Sequence, residues 1–310
     1  MRQLIMTREM FTTKEVAEYL SINEKQVYRL IKEKKIPATR ITGKWLFPKN
    51  LIEEWIMSNA RESIENVAHP KKTPENQVVL AGSNDIALEL LVKNVSLTHP
   101  QYTFSISNIG SLAGLIALQN GGCHIAATHL LDQETGEYNS SFIKKHFPDM
   151  KITLLNVAHR EQGLIVKKGN PLGLKTLKAL VAKKAAIINR QEGSGTRVLL
   201  DYRLKESGID PETIQGYDRV AYTHMEVALD VFSGSADAGV GIMAAARMLG
   251  LDFIPLAKER FDLAIPTEYF SAEPVKALRK TLNSDDFKAA IAEMGGYEVR
   301  DTGKVVYERE

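Results

Sequence analysis

Between Phe11 and Ile56 the apolar positions recur first at helical spacing, then alternate, then return to helical spacing. Val16, Ala17, Tyr19 and Leu20 form one stripe, and Thr12 with Glu15 three positions later is a capping-box pattern, so a helix is predicted from about Thr13 to Leu20. Ser21-Ile22-Asn23-Glu24 supplies turn and cap chemistry. Beyond it Val27, Leu30 and Ile31 define an apolar face, with Lys25, Gln26, Tyr28, Arg29 and Lys32 opposite. Pro37 is expected to stop this second helix. Arg40-Ile41-Thr42 and Trp45-Leu46-Phe47 flank Gly43-Lys44, the pattern of a short hairpin. A third helix, Asn50 to Met57, would bring Leu51, Ile52, Trp55 and Ile56 to the same small core.

From Gln77 onward short apolar runs alternate with amphipathic segments, which predicts an α/β fold with largely parallel sheet. Strands are expected over Gln77–Ala81, Thr103–Ile109, His124–Thr128, Ala185–Asn189 and Asp237–Val240. Helices are expected over Asp85–Val95, Leu112–Gln119, Thr196–Lys205 and Met225–Phe232. Residues 61–76 are polar, carry Pro70 and Pro74 and lack apolar periodicity, so they read as a linker between residues 1–60 and 77–310. A chain of 310 residues exceeds one ordinary core, and two or three folding units are expected.

Charge sharpens the picture of the first segment. Residues 22–50 hold eight Lys or Arg against two Glu, net +6, whereas the whole chain is only +2. The positive potential is therefore concentrated on the helix-turn-helix and hairpin, where it would meet the phosphates of double-stranded DNA. The second helix would enter the groove with Lys25, Gln26, Tyr28, Arg29 and Lys32, and Arg40 and Lys44 would reach the backbone from the hairpin. A single cysteine excludes an internal disulfide. No apolar window is long enough to span a bilayer, and MRQLIMTREM has no secretory core, so a cytoplasmic location without a membrane partner is expected.

Candidate chemistry lies at the strand-to-helix junctions, because open α/β sheets bind ligands at the carboxyl ends of their strands. Gly82-Ser83-Asn84, Gly110-Ser111 and Gly193-Ser194-Gly195-Thr196-Arg197 each combine glycine with hydroxyl or amide donors at a helix start. Free N–H groups there carry partial positive charge, so three converging termini would hold a small oxyanion, with Arg190 or Arg197 adding a fixed charge. Plain N-capping explains any one junction equally well; their co-occurrence is what points to a ligand. His129, Thr223 and His224 fall at further cleft positions, as ligand contacts or as buried hydrogen-bonded groups. GSGTR lacks the Walker A spacing and lysine, which leaves nucleotide hydrolysis unsupported. Cys123 reads as a small buried thiol, Asp237 as a backbone-capping carboxylate, and His124 with His129 lacks further ligands at metal-site spacing.

The stretch FTTKEVAEYLSINEKQVYRLIKEKKIPATRITGKWLFP resembles the excisionase-type, MerR-like winged helix-turn-helix domains of bacterial regulators. The segments AGSND, SNIGSLAGLIAL, HIAATHLLD, QGLIVKKGNP, INRQEGSGTRVLLDY, GSADAGVGIMAAA and GLDFIPLAKERFDLAIP resemble the periplasmic-binding-protein-like domains related to molybdate and tungstate binding proteins. The resemblance implies a two-lobed body of type II. One lobe would hold about 77–157 and 267–310 and the other about 163–262, with NVAHREQGLIV and LAIPTEYFS as crossings. Ser83, Asn84 and Ser111 would then face Ser194, Thr196 and Arg197 across a cleft. It further implies a one-component transcriptional regulator that senses molybdate or tungstate and needs no cofactor. No acid-base pair or activated nucleophile stands out, so an enzyme is not expected, and a homodimer is expected because a single head buries too little contact to be specific alone. The alternatives are another small anion, and an oxyanion-handling partner in molybdenum cofactor synthesis.

Overall fold

Thr12 Oγ1 accepts from Glu15 N at 3.3 Å while the Glu15 carboxylate accepts from Thr12 N at 2.8 Å, the reciprocal capping that their spacing predicts. In this computed structural model, which describes residues 10–20, 22–41, 43–62, 76–132, 135–149 and 151–309, the chain divides between Ser63 and Ile64 into two compact units. The linker expected over 61–76 falls mostly outside the described residues, as do Ser21, Thr42 and the first nine positions.

The N-terminal unit runs β1 (Met10–Thr12), α1 (Thr13–Tyr19), α2 (Glu24–Lys32), β2 (Thr39–Ile41), β3 (Lys44–Pro48) and α3 (Lys49–Glu62). Val16, Val27, Phe47 and Ile52 are fully buried and centre a core that also takes in Ile36, Leu30, Trp45 and Trp55. Three readings needed correction. Strand β1 was not foreseen, since three residues are too few to show alternation; it pairs with β3 to complete a sheet in the order β1-β3-β2. Helix α2 ends well before Pro37, because Glu33 caps it and Lys34 turns at φ +56°. Helix α3 continues to Glu62, past the expected Met57.

The larger unit runs β4 (Gln77–Gly82), α4 (Ile86–Thr98), β5 (Thr103–Asn108), α5 (Ser111–Gln119), β6 (Ile125–Thr128), α6 (Ser140–His146) and β7 (Ile152–Val166). It continues with α7 (Leu177–Ala182), β8 (Ile187–Arg190), α8 (Gly195–Glu206), β9 (Val220–Ala221), α9 (His224–Ser233), β10 (Ala238–Ile242), α10 (Met243–Met248) and β11 (Asp252–Pro266). Helices α11 (Glu273–Asn283) and α12 (Asp285–Met294) and strands β12 (Tyr297–Glu298) and β13 (Val305–Arg309) end it.

Two long antiparallel strands, β7 and β11, organise this unit. Parallel strands β5-β4-β6 join through Asp262–Ala264 of β11, and β10-β8-β9 join through Gln162–Val166 of β7, so each end of the long pair belongs to a different lobe. The second crossing therefore lies before Asp262, opposite Ala158–Glu161, and not at LAIPTEYFS, whose first residues already pair with β6. Strands β12 and β13 return the chain onto β7. Leu80, Leu91, Ile125, Leu155, Leu263 and Leu278 fill one apolar core, and Leu164, Leu177, Ile187, Leu200 and Leu204 fill the other.

Candidate functional site

The loops that follow β4, β5, β6, β8 and β9 all leave the carboxyl ends of parallel strands, and in this fold they meet. Gly82 turns at φ +132° with its backbone against Ala127, which brings Ser83 beside the end of β6. A Cβ on Gly110 would lie 3.3 Å from the Gly193 carbonyl oxygen, and one on Gly195 would collide with the His129 ring. The two lobes thus approach closely at these glycines, Gly110 against the Gly193 backbone and Gly195 against the His129 ring, and a side chain at Gly195 would clash. Asn84 Oδ1 accepts from His224 N at 3.2 Å, a second contact between lobes.

The His129 imidazole lies at the centre. Its Nε2 is 2.8 Å from Ser83 Oγ, its Nδ1 is 2.8 Å from the Glu259 carboxylate, and its backbone N–H donates to Ser111 Oγ at 3.3 Å. A carboxylate can only accept, so Nδ1 carries the proton and the Ser83 hydroxyl donates to Nε2. Burial, against the pull of Glu259, lowers the His129 pKa and keeps the ring neutral.

Behind it stands a buried ionic chain. The Arg160 guanidinium, 1% exposed, bonds through Nε to Glu259 and through Nη1 to Asp85, and stacks on Phe261 at 4.4 Å. Glu259 accepts a further bond from Gln162 at 2.6 Å, and Asp85 accepts from Tyr297 at 3.0 Å while its other oxygen caps α4. Burial alone would raise the Glu259 carboxyl; Arg160 and His129 hold it at about 2. Arg190 donates to His224 Nδ1 at 3.1 Å and to the Tyr222 carbonyl at 2.7 Å. Burial and then Arg160 lower Arg190 to about 10, and burial with Arg190 drives His224 well below its ordinary value. An arginine cannot accept, so His224 Nδ1 does and its proton sits on Nε2. Among the described residues that N–H and Arg160 Nη2 are buried donors with no partner, both on residues that bond Asn84.

The fold brings Ser83, Asn84, Ser111, His129, Arg190 and His224 together, with Ser194 at the facing loop. Ser194 and Thr223 use their side-chain oxygens as plain N-caps, to Arg197 N at 3.2 Å and Glu226 N at 3.0 Å, and Thr196 is buried in the first turn of α8. Arg197 turns to Asp201 at 3.1 Å and stacks on Tyr217 at 4.0 Å, so its charge is already matched. Burial raises the Asp201 carboxyl even so. Sequence reasoning missed Arg160, Gln162 and Glu259. Their signal was present: charged and amide residues interrupt otherwise apolar strands at HREQ and KERFD. Cys123 is buried, its thiol pushed up to about 12 by burial, and Asp237 accepts from Ala186 N at 2.8 Å. Among the described residues no His, Cys, Asp and Glu group is placed to hold a metal, and no helix is long and apolar enough to cross a membrane.

On the N-terminal unit Lys25, Tyr28, Arg29 and Lys32 are exposed on one side of α2, while Val27 packs on the other. Gln26 is half-buried, and its Oε1 accepts from Asn23 N at 3.1 Å; it caps the helix rather than standing free. Arg40 donates to the Gly43 carbonyl at 3.3 Å and lies 5.7 Å from the Trp45 ring, stiffening the turn that exposes Lys44.

A helix-turn-helix domain joined to a two-lobed body with a buried polar cluster between its lobes defines a DNA-binding protein with a ligand-binding domain. The chain belongs to the periplasmic-binding-protein (PBP) superfamily: the PBP superfamily domain matches residues 92–283, and a helix-turn-helix domain matches residues 10–60. It is 36% identical over 305 residues to the uncharacterized protein YvgK of Bacillus subtilis (strain 168), covering 96% of this chain and 98% of that one. An uncharacterized protein in the ferredoxin 2Fe-2S gene 5' region of Clostridium pasteurianum is 39% identical over 112 residues, 36% of this chain and 99% of that protein. The fold is similar to a putative phosphate ABC transporter substrate-binding protein with bound phosphate from Clostridium perfringens. That likeness has a TM-score of 0.53 at 15% identity and covers 72% of this chain and 98% of that one. It is also similar to the tungstate ABC transporter protein from Geobacter sulfurreducens, with a TM-score of 0.50 at 14% identity over 71% of this chain and all of that one, 100%.

Proposed function

We propose that this protein is a one-component transcriptional regulator that senses a small tetrahedral oxyanion, molybdate or tungstate foremost, in the cleft between its lobes. The observation that carries the reading is the pair of buried donors without a partner among the described residues, Arg160 Nη2 and His224 Nε2, on two residues that both bond Asn84 just ahead of α4. Leaving such donors unsatisfied costs about 1–3 kcal/mol each, and an oxyanion that accepts from both removes that cost. The phosphate and tungstate proteins of similar fold are consistent with this ligand class. Ser83, Asn84, Ser111, Ser194, Thr196, Arg190, His129 and His224 form the binding set, with Arg160 added; Arg197 and Thr223 support it from behind.

DNA would be read by α2, with Tyr28, Arg29, Lys25 and Lys32 on bases and phosphates and with Arg40 and Lys44 following the backbone from the hairpin. One such head contacts too little DNA to be specific, so two copies of the chain act together. The ligand acts through its differential affinity for the conformations that bind and release DNA, a coupling of typically about 1–3 kcal/mol.

Calorimetric titration with molybdate, tungstate, sulfate and phosphate tests the ligand, and anisotropy of a labelled fragment of the protein's own upstream region tests the coupling. Tight binding of one oxyanion, weakened in a Ser83→Ala, Ser111→Ala variant and accompanied by a change in DNA affinity, is expected. Absence of heat from every oxyanion overturns the ligand assignment.

A further inference from the structure

We propose that anion binding in this cleft takes up one proton, and that His129 is the residue that receives it. The inference rests on the oxyanion reading above and adds the regulation of that site.

Two observations carry it. The first is a balance of charge. Asp85, Glu259 and Asp201 stand against Arg160, Arg190 and Arg197, each carboxylate already bonded to an arginine or within one chain with it. Arg190 has no carboxylate bonded to it but Arg160 carries two, so the inner cluster sums to zero, and a dianion entering it would be a buried charge that the cluster as a whole does not compensate. Two neutral imidazoles, His129 and His224, are the groups there that can become cationic. His224 is ill placed to do so, since its Nδ1 accepts from Arg190 and protonation would set two donors face to face.

The second is the hydrogen-bond direction at Ser83. In the neutral ring the Ser83 hydroxyl spends its only proton on His129 Nε2, so the serine at the mouth of α4 has no hydrogen to offer an anion. When Nε2 gains a proton it becomes the donor to Ser83 Oγ, and the Ser83 O–H turns free to donate to the anion. Nδ1 keeps its bond to Glu259 in both states, and that carboxylate stabilises the imidazolium. The charged and titratable groups around the ring are Glu259 from β11, Arg160 from β7, Arg190 from β8 and His224 from α9. Its neutral neighbours are Ser83, Ser111, Gly195 and Phe261. Glu259 favours the charged ring and the two arginines oppose it. The arriving anion tips that contest, and one proton moves from solvent to Nε2 with no other bond made or broken.

The full-length protein is titrated with sodium molybdate at pH 7 in two buffers of different ionisation enthalpy, PIPES and Tris. The difference in heat counts protons. Uptake of about one proton per anion is expected, with affinity weakening about tenfold per pH unit between the lowered pKa of His129 in the free protein and its higher pKa in the complex. A His129→Gln variant, whose amide spans the same two partners without titrating, is expected to bind more weakly, with uptake near zero and a flattened pH profile. Binding by the unaltered protein without proton uptake overturns this proposal and leaves the oxyanion reading standing, whereas absence of binding to molybdate, tungstate, sulfate or phosphate overturns both. Uptake that persists in His129→Gln overturns the assignment to His129. Should that variant fail to fold, 15N NMR of the histidine side chains of the unaltered protein with and without molybdate decides the site: conversion of the His129 ring to an imidazolium on binding is expected, and a His129 ring left neutral overturns the assignment.

Discussion

Glu259 and His129 are 130 positions apart in the chain, yet the carboxylate lies 2.8 Å from ring Nδ1 and on its other side grips Arg160. One carboxylate thus orients the imidazole and neutralises the guanidinium. Glu259→Gln removes the charge at nearly constant shape and leaves Arg160 with Asp85 only. Losing one member of a buried ionic group costs about 3–5 kcal/mol. Urea unfolding followed by far-UV circular dichroism is expected to show the large transition shifted by that order, and an unchanged midpoint would count against a buried ionic role.

Both tryptophans, Trp45 and Trp55, belong to the N-terminal unit, so tryptophan fluorescence reports that unit alone. Phe47 is fully buried at its centre, and truncating such a ring leaves a cavity worth about 3–5 kcal/mol. Phe47→Ala is expected to shift the fluorescence transition and abolish DNA binding, while calorimetric heats with molybdate match those of the unaltered protein.

Gly195 has no room for a methyl group, since its Cβ would enter the His129 ring. Gly195→Ala is expected to weaken oxyanion affinity by tenfold or more, about 1.4 kcal/mol, because the lobes can no longer approach. Titration calorimetry checks this, and retained affinity would mean that the lobes bind without that contact.

Arg29 is exposed on α2. Arg29→Ala is expected to lose about 1–3 kcal/mol of affinity for the specific DNA fragment if it bonds a base edge, or to weaken all sequences alike with a shallower salt dependence if it meets a phosphate. Anisotropy at several salt concentrations separates the two, and undiminished affinity at every salt would remove Arg29 from the interface.

Stability of the ligand-free body should fall with acid from a definite point. His129 and His224 both have folded pKa values below the ordinary 6.5, burial being the chief cause. Below that value the unfolded chain binds protons that the folded one refuses, so their contribution is complete above about pH 6.5 and is lost as the pH drops. Glu259, held at about 2, adds a separate loss only below its ordinary 4.5. Scanning calorimetry is expected to give a lower Tm at pH 5 than at pH 7.5, and a flat profile would contradict the buried neutral histidines.

Much of this was legible in the chain itself. The capping pair Thr12 with Glu15, the apolar stripe around Val27, and the strand-to-helix junctions at Ser83, Ser111 and Ser194 all appear where spacing put them, whereas Gln26, expected toward DNA, caps its own helix with Asn23. These are local signals: a cap or a periodic stripe is satisfied within four residues, so composition and order suffice to find it. Such signals also located the loops that converge on His129.

What local order could not contain is which distant residue meets which. Arg160 faces Glu259 because β7 and β11 pair in that register, with bulges at Pro255/Ala257 and Phe261/Asp262 shifting it on either side. The same tertiary context turned Arg197 away to Asp201 and Tyr217, and left Arg160, which no motif singled out, as the deepest charge in the cleft. The sequence by itself determined the elements, the two kinds of unit and the loops that carry donors. Only the folded sheet decided which donors are spent on neighbouring side chains and which remain free, because a buried charge is settled by whatever long-range pairing brings to it.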